Sequence, residues 1–237
     1  MAHQAVPRRA LLAAGGLIAG AAGLAATPGV ASAAPTVSDS DPATPRAALQ
    51  RLLTGNHRFA SGHANHPHQS VDRLRELAAG QHPFVVTLGC ADSRVPPELL
   101  FDQGLGDIFD NRVAGNVVDD ILLGSIEYAV EHFEPPLLLV LGHERCGAIT
   151  ATIEAIETGA HVPGHIGAIV DALRPIIEPV LHRPGDKVDN AVSANVRAQA
   201  RALVRTSDII REKVEAGTLA VVGARYDLDT GRVTLVR

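Results

Sequence analysis

Short apolar runs alternate with stretches of helical spacing along most of the chain. Residues 84–88 (FVVTL) and 137–141 (LLLVL) are compact and uncharged, as strands covered on both faces are. Residues 106–112 hold a weaker strand pattern, and 219–222 and 233–236 form two more, joined through the turn Asp229-Thr230-Gly231. Between them lie segments of helical period. Residues 47–59 come first, then a polar, His-rich loop carrying His63, His66 and His68, then a short helix over 71–79. Residues 118–133 form a helix with Asp119 and Asp120 in its first turn, where they suit the helix dipole, and Pro135-Pro136 stops it. Residues 147–158 are helical. So are 165–181, interrupted by Pro175 and Pro179, and 189–215 as one or two helices. Alternating strand and helix predicts an α/β fold, a mainly parallel central sheet flanked by helices. Ligands in such sheets sit beyond the carboxyl ends of the strands.

The first 34 residues follow a different rule. Arg8-Arg9 precede an uncharged Ala/Gly/Leu run over 10–26, and Ala31-Ser32-Ala33 follows as a small-x-small site. This is the layout of an export signal cleaved after Ala33, and the paired arginines with a Gly-rich apolar run favour the twin-arginine route. A membrane anchor is the alternative, for which the run is short. The expected organisation is a signal peptide over 1–33, a Pro/Ser/Thr-rich lead-in over 34–45 and one catalytic domain over 46–237. The exported product would carry no stable membrane anchor. Cleavage removes two arginines and no acid, so the mature chain is two charges more negative than the formal −5. No basic block beyond Arg8-Arg9 suggests nucleic acid. With 46% apolar residues, 3% aromatics and no Trp, the core must be filled by Leu, Val, Ile and Ala.

The chain has two cysteines, Cys90 and Cys146. In an exported protein an even count suggests a disulfide. Here each cysteine follows an apolar run and has ligand-type neighbours, which favours metal-bound thiolates. His143 stands three residues before Cys146 at a strand-to-helix turn, so both can reach one ion. With Cys90 the set is two thiolates and an imidazole with an open fourth position, the pattern of a catalytic rather than a structural zinc. Zinc brings the pKa of its water from about 16 towards 7. Asp92 could ligate the ion or accept a hydrogen bond from that water, and Arg94 could hold it in the second role by a bidentate pair. A plain surface ion pair is the alternative.

C-x-D-x-R at 90–94, followed by H-x-x-C 53 residues after the first Cys, resembles the β-class carbonic anhydrases, with the likeness running from about Ala47 to the last strands. The resemblance implies one Zn²⁺ per chain on Cys90, His143 and Cys146, with Asp92 and Arg94 as catalytic dyad. The reaction is then reversible hydration of carbon dioxide to bicarbonate and a proton. Within the plant-like subgroup it implies substrate contacts from Gln81, Phe109, Tyr128 and Gly147. It also implies a homodimer or dimer-based oligomer, with the N-terminal helices lying on the partner. Thr87 stands where another subgroup has the Trp of a bicarbonate pocket, Ala91 where Ser is frequent, and Glu144 where Ser or Thr is frequent; Glu144 adds a negative charge near the metal motif. Hydrolysis of carbonyl sulfide or carbon disulfide on the same site, and a zinc-binding module without catalysis, are the competing readings.

Overall fold

The computed structural model describes residues 41–237. The expected export signal and most of the expected lead-in therefore lie outside the described residues. Helix α1 (Pro45–Ala60) starts on Thr44, whose side chain accepts from the Ala47 N–H, with Pro45 at the position where a missing N–H costs nothing. Helix α2 (Val71–Leu77) is capped in the same way by Ser70. Strand β1 (Val85–Gly89) leads through a short helix, α3 (Pro97–Leu100), to β2 (Ile108–Arg112). Helix α4 (Asp120–Phe133) begins two residues later than its apolar pattern. Asp119 is its cap, accepting from Leu122 N–H, and only Asp120 lies in the first turn. The chain continues through β3 (Leu137–His143), α5 (Gly147–Thr158), α6 (Ile166–Ile177), α7 (Lys187–Thr206), α8 (Asp208–Glu215), β4 (Ala220–Tyr226) and β5 (Val233–Leu235). Ser207 divides the long C-terminal helical stretch, its hydroxyl capping α8 through Ile210 N–H. No described helix is long and apolar enough to cross a membrane.

The sheet order is β2-β1-β3-β4-β5, parallel except for β5. Strands β1 and β3 are central and wholly buried. Val85, Leu137, Leu139 and Leu141 pack with Leu52 and Phe101 on one face. Val86, Leu88, Leu138 and Val140 pack with Ile126, Val196 and Leu203 on the other. Burying each such side chain contributes about 1.5–3 kcal/mol, and the two-sided cover explains runs with no polar alternation. From β1 the chain leaves to one side to form β2 and returns on the other as β3. The carboxyl ends of β1 and β3 thus flank the crevice where connections diverge.

The His-rich loop is tied down by side chains of the segment after α3. The Asp102 carboxylate accepts from the N–H groups of Asn65 and His66 and from Arg58, and His68 Nδ1 meets Asp107 at 2.9 Å.

Candidate metal centre

β1 ends at Gly89 and hands over Cys90; β3 ends at His143, and Cys146 caps α5 three residues on. Gly142 precedes His143 because α7 crosses directly over it: a Cβ there would lie 2.5 Å from Val196 Cγ2. Cys90, His143 and Cys146 are buried, with ligand atoms all within 4.8 Å of one another. The two sulfurs are 4.0 Å apart and both cysteines are free, so the disulfide alternative is not formed, since an S–S bond is about 2.05 Å. Two thiolates on a tetrahedral zinc at about 2.3 Å stand roughly 3.8 Å apart, close to the observed spacing.

His143 carries the clearest sign of a missing partner. Its Nδ1 lies 2.8 Å from the Glu144 carbonyl, which fixes the ring and leaves Nε2 facing the sulfurs. Nε2 is buried and has no hydrogen-bond partner. Most buried polar atoms in native folds are satisfied, and a metal ion at this group would complete His143. The Cys146 thiol donating to Cys90 holds Cys90 far below the usual thiol range, with His143 and the Gly115 N–H acting in the same direction. The same contact with Cys90, together with burial, pushes Cys146 up. Ligation by both thiolates requires both cysteines to be deprotonated.

Asp92 and Arg94 form the bidentate pair. Arg94 Nε donates to Oδ1 at 2.9 Å and Nη2 to Oδ2 at 2.7 Å, while the Arg94 backbone N–H also donates to Oδ1 at 2.9 Å. The Arg94 guanidinium thereby holds the Asp92 carboxyl well below the ordinary carboxylate range. Asp92 Oδ2 lies 4.0 Å from His143 Nε2, beside the ligand set.

Three further residues shape the centre and carry no motif of their own. Arg112 donates from Nε to the Cys90 carbonyl at 2.9 Å and from Nη2 to the Asp92 carbonyl at 2.5 Å, fixing the 90–94 loop. Gly115, in the left-handed region at φ 75°, offers its N–H to Cys90 Sγ at 3.5 Å. Asn195 on α7 donates to the Gly115 carbonyl at 2.8 Å and is held by Gln199, whose Oε1 accepts from Val118 N–H. Two amides one turn apart on an Ala/Val-rich helix were the available signal.

Glu144 does not face the metal set. Its carboxylate turns to Arg225 at 2.6 Å and to the Leu228 N–H at 3.0 Å, so the added charge is neutralised. With Asp227 and Asp229 it makes a second acidic group. Those oxygens are taken by Arg145 and by backbone N–H groups of the 227–231 turn.

The substrate contacts expected from resemblance divide in two. Gly147, at the first position of α5, has open space where a Cβ would be. Gln81, Phe109 and Tyr128 gather at the other end of the sheet. Phe109 pairs with Val86, four residues back along β1 from Cys90, a distance of about 13 Å at ~3.3 Å per residue. Tyr128 stacks near Phe109 with ring centres 6.4 Å apart and is 53% exposed. Gln81 is exposed ahead of β1. One chain does not bring these three to its own metal centre. A groove of about 680 Å³ also lies at the amino ends of the strands, lined by Phe84, Pro136 and Leu219.

Comparison with known proteins shows the family and the fold. The family description "Carbonic anhydrase" matches residues 85–233. Carbonic anhydrase 2 of Mycobacterium tuberculosis is 44% identical over 191 residues, covering 81% of this chain and 92% of the relative. The fold matches the Coccomyxa β-carbonic anhydrase solved with acetazolamide (TM-score 0.63, 30% identity, 79% of this chain and 86% of that one). It also matches a tetrameric β-carbonic anhydrase of Sordaria macrospora (TM-score 0.64, 25% identity, 79% and 96%). The chain belongs to the β-class carbonic anhydrase family, and its reaction is the reversible hydration of carbon dioxide.

Proposed function

We propose that Cys90, His143 and Cys146 hold one zinc ion and that Asp92 and Arg94 act on the water that attacks carbon dioxide. The observation that carries this reading is the buried, partnerless His143 Nε2 facing two sulfurs 4.0 Å apart. When bound, zinc supplies the Lewis acid that makes water a nucleophile near neutral pH. The protein's own groups do the rest. Arg94 keeps Asp92 ionised, so Asp92 can only accept; it takes the hydrogen bond of the attacking water and aims its lone pair at the carbon. The Glu144 carbonyl keeps the proton of His143 on Nδ1. Arg112 and Gly115 hold the Cys90 loop against the sheet end. Gly147, lacking a Cβ, leaves room beside the centre for a small linear substrate.

The plant-like pocket requires two copies. Gln81, Phe109 and Tyr128 of one chain can line a metal centre only if it is a second chain's. The exposed face of α4, with Ile121 87% and Tyr128 53% exposed, supports an interface there. A homodimer or a dimer-based assembly follows from this reading; the solved relative from Sordaria macrospora is tetrameric. Export by the twin-arginine route rests on Arg8-Arg9 and Ala31-Ser32-Ala33. It agrees with thiols that must meet zinc before an oxidant.

Stopped-flow carbon dioxide hydration by the zinc-loaded chain, with carbonyl sulfide as comparison substrate, tests the reading. Asp92→Asn should retain one zinc per chain and lose roughly 10²-fold or more in kcat, the scale of removing a group that acts on the transition state. Full turnover in that variant refutes the role of Asp92.

A further inference from the structure

We infer that Glu144 and Arg145, the two residues between metal ligands His143 and Cys146, are positioning residues that lock the ligand loop onto the β4–β5 turn. The inference rests on the zinc reading of the centre. Neither side chain points at the metal set; both reach across to one short segment more than 80 residues away. Glu144 extends the β3–β4 ladder by donating its N–H to the Tyr226 carbonyl at 3.0 Å. Its carboxylate, with a side chain only 17% exposed, then accepts from Arg225 Nη2 at 2.6 Å and from Leu228 N–H at 3.0 Å. Arg225 is held in turn by Asp189 of α7 at 2.5 Å. Arg145 sits in the left-handed region at φ 49°, a conformation that a residue with a side chain keeps only where its surroundings enforce it. There its side chain makes a bidentate pair with Asp229, at 2.9 and 2.7 Å. The turn they grip is itself stiff: one Asp227 oxygen accepts from Asp229 N–H, Thr230 N–H and the Thr230 hydroxyl.

The consequence reaches the metal through the backbone. The Glu144 carbonyl is the group that orients His143 through Nδ1. Arg145 sets the direction in which the chain turns to present Cys146 at the start of α5. Fixing both peptides fixes the separation of the imidazole from the second thiolate. The Glu144 carboxylate is turned to Arg225 and away from the ligand set, so it is not a further anionic ligand there. Outer partners of metal ligands typically govern affinity by 10- to 100-fold.

The test measures zinc release from the zinc-loaded full chain into a chromogenic chelator. Glu144→Ala and Asp229→Asn, the latter at an exposed turn position that leaves the core intact, are each expected to speed release about 10- to 100-fold. Glu144→Gln, which keeps an acceptor for Leu228 N–H, should fall between Glu144→Ala and the parent. Asp208→Asn, which removes an unrelated surface pair with Arg211, should release at the parent rate. The cobalt-substituted Glu144→Ala protein should show a shifted thiolate-to-metal band. A parent chain that takes up no zinc overturns the metal reading and this inference with it. A parent that holds zinc, with folded variants releasing it at the parent rate and an unchanged cobalt band, overturns the clamp alone.

Discussion

Replacing Gly115 by alanine should damage both the fold and the metal site, by separable amounts. Gly115 adopts φ 75°, and an added Cβ would lie 3.0 Å from Leu173 Cδ1 and 3.1 Å from Ala148 Cβ. The left-handed conformation costs alanine about 1–2 kcal/mol. Crowding against the fully buried Leu173 and the start of α5 adds about 1–3 kcal/mol. The total of about 2–5 kcal/mol corresponds, for a domain near this size, to a fall in Tm of roughly 5–20 °C. The same change displaces the N–H that donates to Cys90 Sγ at 3.5 Å, so zinc affinity should drop about 10- to 100-fold. Calorimetry of the metal-free chain reads the first effect, and chelator competition reads the second. Adding Ala148→Gly removes one of the two close contacts. The double-mutant cycle should then return a favourable coupling of about 0.5–3 kcal/mol while the left-handed cost remains. A Gly115→Ala protein whose Tm and zinc affinity match the parent would show that the loop relaxes freely, and would remove Gly115 from the account of the site.

Other outcomes follow from groups that the mechanism leaves aside. Asp110 is pushed up by burial; Glu98 adds to the shift, while the Thr87 hydroxyl and Arg112 oppose it. A carboxyl raised in the fold makes the native state hold its proton longer than the unfolded chain, so it erodes stability as pH rises above the ordinary carboxylate range. Asp110→Asn should therefore raise Tm at pH 7 and lose that advantage at pH 4 and below, as read by thermal melts across pH. Asp92 has the opposite sign: its carboxyl is depressed by Arg94, so the pair contributes above the ordinary carboxylate range and fails only as pH falls below it. Changes in rate between pH 6 and 9 should then persist unaltered in form in Arg94→Lys, checked by stopped-flow profiles. On the proposed dimer, Ile121→Asp should give folded monomers in sedimentation where the parent sediments as an oligomer, and hydration activity should fall with it.

The parts of this molecule that were legible in its sequence are those fixed by local pattern. Strands β1 and β3 are buried on both faces, so their sequences are unbroken apolar runs. The ligands follow those runs immediately, which is why the motifs and the sheet edge coincide. The sequence pattern ends strand β4 at Val222, whereas the strand runs to Tyr226, because Gly223 and Arg225 do not look like strand interior. Gly223 is there because a Cβ would strike Val196 at 2.6 Å, and Arg225 because Glu144 and Asp189 neutralise it. Arg112, Gly115 and Asn195 were invisible for a related reason: each is defined by what approaches it from another part of the chain. Gln81, Phe109 and Tyr128 could be assigned to a pocket by resemblance, but sequence spacing does not say which copy's pocket they reach.

Sheet order also sets a timetable. β3 lies beside β1 although β2 and α4 are made between them, and Cys90 precedes Cys146 by 56 residues. At a synthesis rate of about 5–20 residues per second, each emerging chain carries Cys90 as a lone thiol for roughly 3–11 s before its partner exists. On the proposed ligand set, no fragment ending ahead of Cys146 offers all three ligands. For that interval the protection of Cys90 falls to the compartment in which the chain is made.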